Sequence, residues 1–351
     1  MMETDVRYNP GLLKLDLYCK GLRIDDSFFK EGRRGRQIMR TRAGLGSGLE
    51  AILPGELWTN IPVVESFAAK SPYLLFREDW PSDHAAPDPD EDRFVIRRDG
   101  DRELISEIRL SPKPSWYDRK TTSGKDMTKV GSLQGTYLGV YPSKVCEYWL
   151  EKPDKSNCKF CSVGLNLGVD DADDKSVQEV LEVVIAARDE SGITYVDFNT
   201  GHYEGETYLD ILEPYLRRVK EETGLLIGVQ TPPHADLSRY HRLREMGVNR
   251  VSFCFEIWNR ERFIEVCPGK HREYGLDRYL EAVRYCAEMG RSARVKTQSR
   301  VGVGPISFDP WVSNGEIIAG LEPPEDSIEA INWITAQGAI PIGRSVSMHA
   351  S

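Results

Sequence analysis

Three cysteines lie close together near the middle of the chain, in the stretch "VCEYWLEKPDKSNCKFCSVGLNLG". Eleven residues separate Cys146 from Cys158, and two residues separate Cys158 from Cys161. Three soft thiolates select either zinc or an iron–sulfur cluster. A structural zinc site usually takes four ligands, and this stretch contains no fourth cysteine or histidine. On a cubane cluster, three thiolates would leave one iron open to a substrate or a cofactor.

Composition excludes several other classes of protein. The 351 residues carry a formal net charge of −9, with no basic arm or stripe, so we expect no nucleic-acid partner. No apolar run approaches the roughly 18 residues of a membrane span, and the first residues do not resemble a signal peptide. We therefore expect a cytoplasmic protein without a membrane partner. The seven cysteines are then available as metal ligands rather than as disulfides.

The elements that would position the cysteines begin at about residue 134, where short apolar runs alternate with helical patterns. Six such strands predict an α/β fold with parallel strands and helical crossovers, a partial (β/α)6 TIM-like barrel. A doubly wound open sheet is the alternative, because alternation does not distinguish an open sheet from a closed one. Glycines are predicted to end four of the helices, at positions 224, 247, 290 and 338.

The first third of the chain has a different texture. We expect residues 1–133 to form a small α+β attachment that covers the open barrel end or helps to bind a substrate, and residues 134–351 to form the barrel. Residues 80–93 are rich in Pro and Asp and predict an exposed linker. Two extended runs around Asp99 and Gly100 predict a hairpin. Residues 292–314 are expected to be a long loop or an extra strand.

The cysteine loop resembles that of a known family. Cys146 follows the first predicted strand, where α/β barrels carry their active sites, and the aromatic Phe160 precedes Cys161. Together with the partial barrel, this pattern resembles radical S-adenosylmethionine enzymes, above all the branch of biotin synthase and the [FeFe]-hydrogenase maturases. The family usually places three residues between its first two cysteines, whereas this chain has eleven.

The resemblance implies cofactors and an oxygen-sensitive chemistry. It implies that Cys146, Cys158 and Cys161 hold a 4Fe-4S cluster whose open iron binds S-adenosylmethionine. One electron, from a donor such as flavodoxin or ferredoxin, then yields a 5′-deoxyadenosyl radical that abstracts a hydrogen atom from a substrate. The positions that match the family's cofactor-binding segments, or that share a strand face with one of them, are Phe160, Asn199, Thr200, Gly201, Ser252, Glu256, Ile318 and Gly320.

Other candidates come from strand alternation. Ser252, Cys254 and Glu256 share one face of a predicted strand, so the Cys254 thiol is a candidate hydrogen donor to a product radical, although packing of a small residue is the favoured reading. His202 and Gln230 are candidate substrate contacts. If "RVKTQSR" is a strand, it presents an inward basic row that suits a carboxylate or phosphate of the substrate. If it is a loop, it presents a solvated face. The candidate substrate contacts in this stretch are Lys296, Gln298 and Arg300. Three other cysteines are expected to be ordinary thiols: Cys19, Cys267 and Cys286.

These features favour a radical S-adenosylmethionine enzyme that acts on a small molecule in cofactor or amino-acid metabolism, by rearrangement, carbon–carbon cleavage or related chemistry. Sulfur insertion is less expected, since no second CxxC cluster is present, and the chain has no "DxHxxG" cobalamin pattern. Two alternatives stay open. One is a zinc-stabilised β/α protein that binds a metabolite or a partner, and the other is a scaffold that carries a cluster for maturation of another protein.

Overall fold

A computed structural model describes residues 9–29, 39–40, 48–63, 67–80, 92–111, 113–151, 153, 155–298 and 311–345. The chain divides into two compact units between Ser115 and Trp116. The functional boundary expected at 133/134 stays a prediction, and most of the expected 80–93 linker lies outside the described residues. Within the described ranges, no helix is long and apolar enough to cross a membrane.

The first unit combines one helix with one mixed sheet. Its elements are α1 (Pro10–Lys20), β1 (Arg23–Ile24), β2 (Met39–Arg40), β3 (Gly48–Leu53), β4 (Leu57–Ile61), β5 (Tyr73–Glu78), β6 (Arg93–Arg98) and β7 (Leu104–Leu110). The strand order is β1-β5-β6-β7-β3-β2, and β4 pairs with β3. β6 and β7 are antiparallel neighbours on either side of Gly100, whose φ is +95°, so the predicted hairpin is confirmed. Leucines of α1 pack into the core of this unit, Leu13 and Leu17 among them.

The second unit contains the barrel. Its strands are β8 (Ser132–Gln134), β9 (Tyr137–Val140), β10 (Tyr195–Asn199), β11 (Leu226–Gln230), β12 (Arg250–Glu256), β13 (Val312–Ala319) and β14 (Ile340–Ser345). Its helices are α2 (Val163–Asn166), α3 (Val177–Ser191), α4 (Tyr208–Thr223), α5 (Arg239–Glu245), α6 (Arg260–Val266), α7 (Pro268–Glu273), α8 (Gly275–Gln298) and α9 (Pro324–Ala336).

The sheet of the second unit confirms the predicted partial barrel. Strands β9 to β14 are parallel neighbours in chain order, and β8 adds an antiparallel edge to β9. All six predicted parallel strands are present. Outward-facing aromatic side chains of β12 pack against neighbouring rings: Phe253 lies edge-on to Tyr240, and Phe255 lies beside Trp258. Both phenylalanines are fully buried, which ties the strand to the helical layer.

Three of the four predicted glycine stops are confirmed. Gly224 adopts φ +66° as the cap of α4, and Gly247 and Gly338 take positive φ just after α5 and α9. The prediction at Gly290 is wrong, because α8 continues through it to Gln298. Gly290 lies where a Cβ would be 3.2 Å from the Trp311 carbonyl oxygen, so its small size serves close packing rather than a helix end.

The barrel interior carries a polar layer instead of an apolar core. Arg250 on β12 donates two hydrogen bonds to the Asp197 carboxylate on β10, at 2.9 and 3.0 Å. The Tyr195 hydroxyl donates to the same carboxylate at 3.0 Å, and the Gln230 amide donates to it at 2.5 Å. The Asp197 side chain is only 8% exposed. Because a buried carboxylate is costly without partners, these contacts join three neighbouring strands.

We predict that Arg250→Met lowers the free energy of unfolding by about 3 kcal/mol, since it leaves a buried carboxylate without its cation. The double variant Asp197→Asn/Arg250→Met should recover most of that loss. The matched control is Arg260→Met, which removes a mostly exposed pair with Asp277 and should change stability by less than about 1 kcal/mol. Urea unfolding of the four proteins checks this. Equal losses for Arg250→Met and Arg260→Met would contradict it.

Candidate functional site

The three cysteines lie in the loop that follows the first parallel strand, β9, at the carboxyl end of the barrel strands. We call residues 146–161 the thiol loop. Cys146 precedes a short 3-10 turn at Glu147–Trp149, and the Cys161 N–H donates to the Cys158 carbonyl at 3.0 Å. All three cysteines are free thiols; Cys158 is buried, and the other two are half-buried. The loop thus places three thiols where barrel enzymes carry their reactive groups.

The segment after β10 holds the first cysteine in place. The His202 N–H donates to the Cys146 sulfur at 3.4 Å, and the Glu147 N–H donates to the His202 carbonyl at 3.1 Å. A Cβ on Gly201 would lie 2.5 Å from the Cβ of Cys146. Only a glycine therefore allows this approach. The role of Gly201 as a cofactor contact stays a prediction, and the structure shows that its lack of a side chain makes room for Cys146.

The turn between α6 and α7 supports the rest of the thiol loop. The Lys159 N–H donates to the Val266 carbonyl at 2.9 Å, and the Gly269 N–H donates to the Ser156 carbonyl at 3.0 Å. A Cβ on Gly269 would lie 2.7 Å from that Ser156 oxygen. The turn also brings the buried Cys267 into hydrogen-bonding contact with Cys158. Cys267, which we expected to be an ordinary thiol, is buried and is also a neighbour of the loop.

The three thiols differ in their electrostatic surroundings. Burial raises the pKa of Cys146 to about 11 and that of Cys161 to about 12, and the charge of Cys158 contributes to both shifts. The hydrogen bond from Cys267 lowers the pKa of Cys158 to about 7, against the opposing effect of burial. The positive charge of Lys270 lowers it further. The mutual influence of the three thiols shows that they share one electrostatic environment.

The donor chemistry of the loop fits an iron–sulfur cluster. Thiolates are the usual ligands of such clusters, and a cubane binds each thiolate to a separate iron. In the described ranges, no group of three His, Cys, Asp or Glu side chains converges on one metal ion. A cubane does not need such convergence, because its ligands surround a cluster rather than a single ion. Cys146, Cys158 and Cys161 would hold the cluster.

A buried ion pair lies beside the thiol loop. Lys270 on α7 donates hydrogen bonds to the Glu256 carboxylate and to the Cys254 carbonyl. Although burial alone lowers the pKa of Lys270, the negative charges of Glu256 and Cys158 raise it well above its ordinary value. Burial raises the pKa of Glu256 to about 8, while Lys270 opposes this. The pair places one cation and one carboxyl group next to the thiols.

Local backbone geometry directs Glu256 into this position. The register between β12 and β13 shifts between Phe253 and Glu256, and Glu256 itself has φ +62°. A non-glycine residue rarely adopts this left-handed conformation, which clusters at functional sites. The Lys270 ammonium also lies 6.0 Å from the Phe160 ring centroid and 5.7 Å from that of Tyr279. Two predicted cofactor contacts, Phe160 and Glu256, therefore meet at one lysine.

The predicted contacts on β10 to β12 line the same interior face. Asn199 donates to the Gln230 side-chain oxygen at 3.2 Å, and the Cys254 sulfur lies 3.7 Å from that oxygen. The shared face expected for Ser252 and Cys254 stays a prediction. Ser252 is fully buried, and its hydroxyl has no hydrogen-bond partner within the described part of the chain. A buried hydroxyl in this state is available to a ligand or to water.

Other predicted residues lie close to these strands. Thr200 follows β10, is buried, and donates its N–H to the Gln230 carbonyl at 3.1 Å. Ile318 is buried on β13, and Gly320 follows that strand with φ +96°. Their roles as cofactor contacts stay predictions. The His202 ring stacks on Tyr148 at 4.4 Å, and its Nδ1 lies 2.6 Å from the Tyr274 hydroxyl.

The proposed basic row is not on a strand. Helix α8 continues to Gln298, so Lys296 and Gln298 lie on helical backbone. Both expected forms of this stretch, strand and loop, are wrong as far as Gln298. Arg300 lies outside the described residues.

Sequence reasoning missed two important neighbours of the thiols, Cys267 and Lys270. Both occur in "VCPGKHRE", immediately after the fourth parallel strand and its first helix. This stretch could have been recognised as part of the site, because loops after barrel strands face the reactive end. It combines a cysteine, a proline, a glycine and a lysine. Their approach to the loop after the first strand depends on the closing of the sheet, which no local pattern reveals.

Comparison with known proteins agrees with this site. Residues 155–311 match the model of the Radical SAM superfamily. The matched stretch includes Cys158 and Cys161 and extends through α8, while Cys146 precedes it. This match identifies residues 155–311, which follow the first strand of the partial barrel, as a radical SAM domain. Members of this family use a 4Fe-4S cluster and S-adenosylmethionine.

Three solved structures resemble part of this chain at low sequence identity. Methylornithine synthase (PylB) is 15% identical, with 61% of this chain and 56% of that chain covered and a TM-score of 0.41. Streptococcus suis SuiB bound to S-adenosylmethionine is 16% identical (62% and 40% covered, TM-score 0.41). The FeFe-hydrogenase maturase HydG from Carboxydothermus hydrogenoformans is 16% identical (60% and 44% covered, TM-score 0.41). The chain spans about half the length of these proteins. No curated protein has a significantly similar sequence.

We predict that Gly269→Ala lowers the free energy of unfolding of the barrel by about 1–3 kcal/mol, because the added methyl group meets the Ser156 carbonyl and the Tyr148 ring. The matched control is Gly343→Ala on β14, where a Cβ has nothing within 4 Å. Chemical denaturation of both variants checks this. Equal unfolding midpoints for the two variants would show that the α6–α7 turn does not pack closely against the thiol loop.

We also predict a pH dependence from Glu256. Its pKa of about 8 in the folded chain lies above the ordinary value of 4.5, so the neutral carboxyl is favoured in the folded state. Its contribution to stability is complete below pH 4.5 and is lost as the pH rises to 8. In iron-free protein, wild type should lose stability relative to Glu256→Gln across this range. Urea unfolding at several pH values tests it, and a gain toward pH 8 would mean that the Lys270 ion pair dominates.

Proposed function

We propose that this protein is a radical S-adenosylmethionine enzyme whose cluster is held by Cys146, Cys158 and Cys161. The observation that supports this most directly is the meeting of three thiols in one electrostatic environment, at the reactive end of a barrel whose sequence matches the superfamily. With the cluster and S-adenosylmethionine bound, reductive cleavage supplies a 5′-deoxyadenosyl radical that removes hydrogen from a small-molecule substrate.

The surrounding residues have assigned parts in this proposal. Asn199, Thr200 and Gly201 bind the methionine end of S-adenosylmethionine, and Ile318 and Gly320 lie beside its adenine. Lys270 supports this arrangement because it fixes the Glu256 carboxyl group next to Phe160 and the thiol loop. Ser252 supports it because its buried hydroxyl has no partner among the described residues. These side chains orient the cofactor and exclude water from the reacting atoms.

The interior polar layer forms the floor of the proposed substrate cavity. Gln230 links Asn199 to Asp197, so that the cofactor-binding segment and the ion pair form one hydrogen-bonded network. Cys254 lies on this network and is the proposed hydrogen donor to a product radical. The substrate belongs to cofactor or amino-acid metabolism in this proposal. A reducing cytoplasm and an electron donor such as flavodoxin or ferredoxin complete the setting.

The thiol assignment is tested with three variants, Cys146→Ala, Cys158→Ala and Cys161→Ala. After anaerobic reconstitution with iron and sulfide, wild type should hold about four irons per chain. With dithionite and S-adenosylmethionine it should then release 5′-deoxyadenosine, detected by chromatography. Each variant should release at least about tenfold less 5′-deoxyadenosine than wild type, because a ligand to the cluster is missing.

The matched control for this series is Cys286→Ala, which removes a buried thiol of α8 outside the thiol loop. It should retain both iron and product formation. Full activity in Cys146→Ala would place the first ligand elsewhere in the chain. Zinc in place of iron would favour the metabolite-binding alternative. A full cluster without any 5′-deoxyadenosine would favour the maturation scaffold.

A further inference from the structure

The thiol loop and the α6–α7 turn run past each other in opposite directions. One backbone hydrogen bond joins Lys159 to Val266, and another joins Ser156 to Gly269. The two segments are therefore antiparallel, with Lys159 opposite Val266 and Ser156 opposite Gly269. This register places Cys158 opposite Cys267. The backbone pairing therefore sets the two cysteines side by side, in agreement with the effect of a Cys267 hydrogen bond on the pKa of Cys158.

The chemistry of this contact assigns donor and acceptor. A cysteine bound to iron is a thiolate and has no proton to give, whereas Cys267 keeps its S–H. Cys267 is completely buried, so water does not compete for the contact. Its backbone N–H donates to the Phe263 carbonyl at 2.9 Å, which fixes the residue at the end of α6. Of the two neighbouring cysteines, Cys267 is therefore the one that carries a proton to donate when Cys158 binds iron.

We propose that Cys267 is a positioning residue that donates its S–H to the Cys158 sulfur and raises the reduction potential of the cluster. This inference rests on the proposed function. Reduction adds one negative charge to the cluster and its sulfur ligands, so a hydrogen bond to one of those sulfurs stabilises the reduced form more than the oxidised form. Hydrogen bonds to sulfur are among the main determinants of cluster potential.

The experiment compares wild type, Cys267→Ala, Cys267→Ser and Cys286→Ala after anaerobic reconstitution. Iron and sulfide contents are measured first, and the midpoint potential is then measured by redox titration followed by electron paramagnetic resonance. Cys267→Ala should hold a full cluster with a lower potential. The ratio of reduced to oxidised cluster at a fixed potential should fall about fivefold, about 40 mV for one electron.

The two other variants identify the cause of any shift. Cys267→Ser keeps a donor at the same position, so its potential should stay near that of wild type. Cys286→Ala removes another fully buried thiol and should leave the potential unchanged. Equal shifts in Cys267→Ala and Cys267→Ser would assign the effect to packing and overturn the proposal. No shift in Cys267→Ala would also overturn it.

The same data separate this proposal from the assignment of the ligands. If Cys267→Ala loses iron while Cys146→Ala retains it, Cys267 is a ligand, and its role as a donor is wrong. If wild type itself forms no cluster, the proposed function fails and the donor role fails with it. If wild type forms the cluster and cleaves S-adenosylmethionine while the variants share one potential, only the donor role is wrong.

Discussion

Three thiols must be held together at one end of the barrel although eleven residues separate the first from the second. The structure meets this constraint with backbone hydrogen bonds from two other loops. The segment after β10 fixes Cys146, and the turn between α6 and α7 fixes the segment around Cys158. Glycines at both contacts leave no room for a side chain. The long spacing is therefore supported by its surroundings and not by the loop alone.

The barrel contains two pairs of oppositely charged side chains in different places. The Asp197 and Arg250 pair joins strands in the interior, and the Glu256 and Lys270 pair lies next to the thiols. Each cation donates hydrogen bonds to a carboxyl group, which limits the cost of burying it. The Glu256 and Lys270 pair also affects the thiols, because the positive charge of Lys270 lowers the pKa of Cys158. Lys270 thus both pairs with Glu256 and changes the pKa of a thiol.

Sequence patterns predicted the six parallel strands well, because each is an apolar run between helical segments with glycine stops. The shared strand face of Ser252 and Cys254, which rests only on alternation, stays a prediction. Sequence patterns failed for α8, since nothing local shows that Gly290 is needed for packing against Trp311. Cys267 and Lys270 were missed for a related reason: their contacts join loops that are more than one hundred residues apart.

Mössbauer spectroscopy of protein reconstituted with iron-57 tests the central claim most directly, because it distinguishes irons with different ligands. If three thiolates hold the cluster and one iron is open, adding S-adenosylmethionine should change the signal of one iron in four and leave three unchanged. Four equivalent irons that do not respond to S-adenosylmethionine would show that a fourth protein ligand closes the cluster. That result would contradict the account.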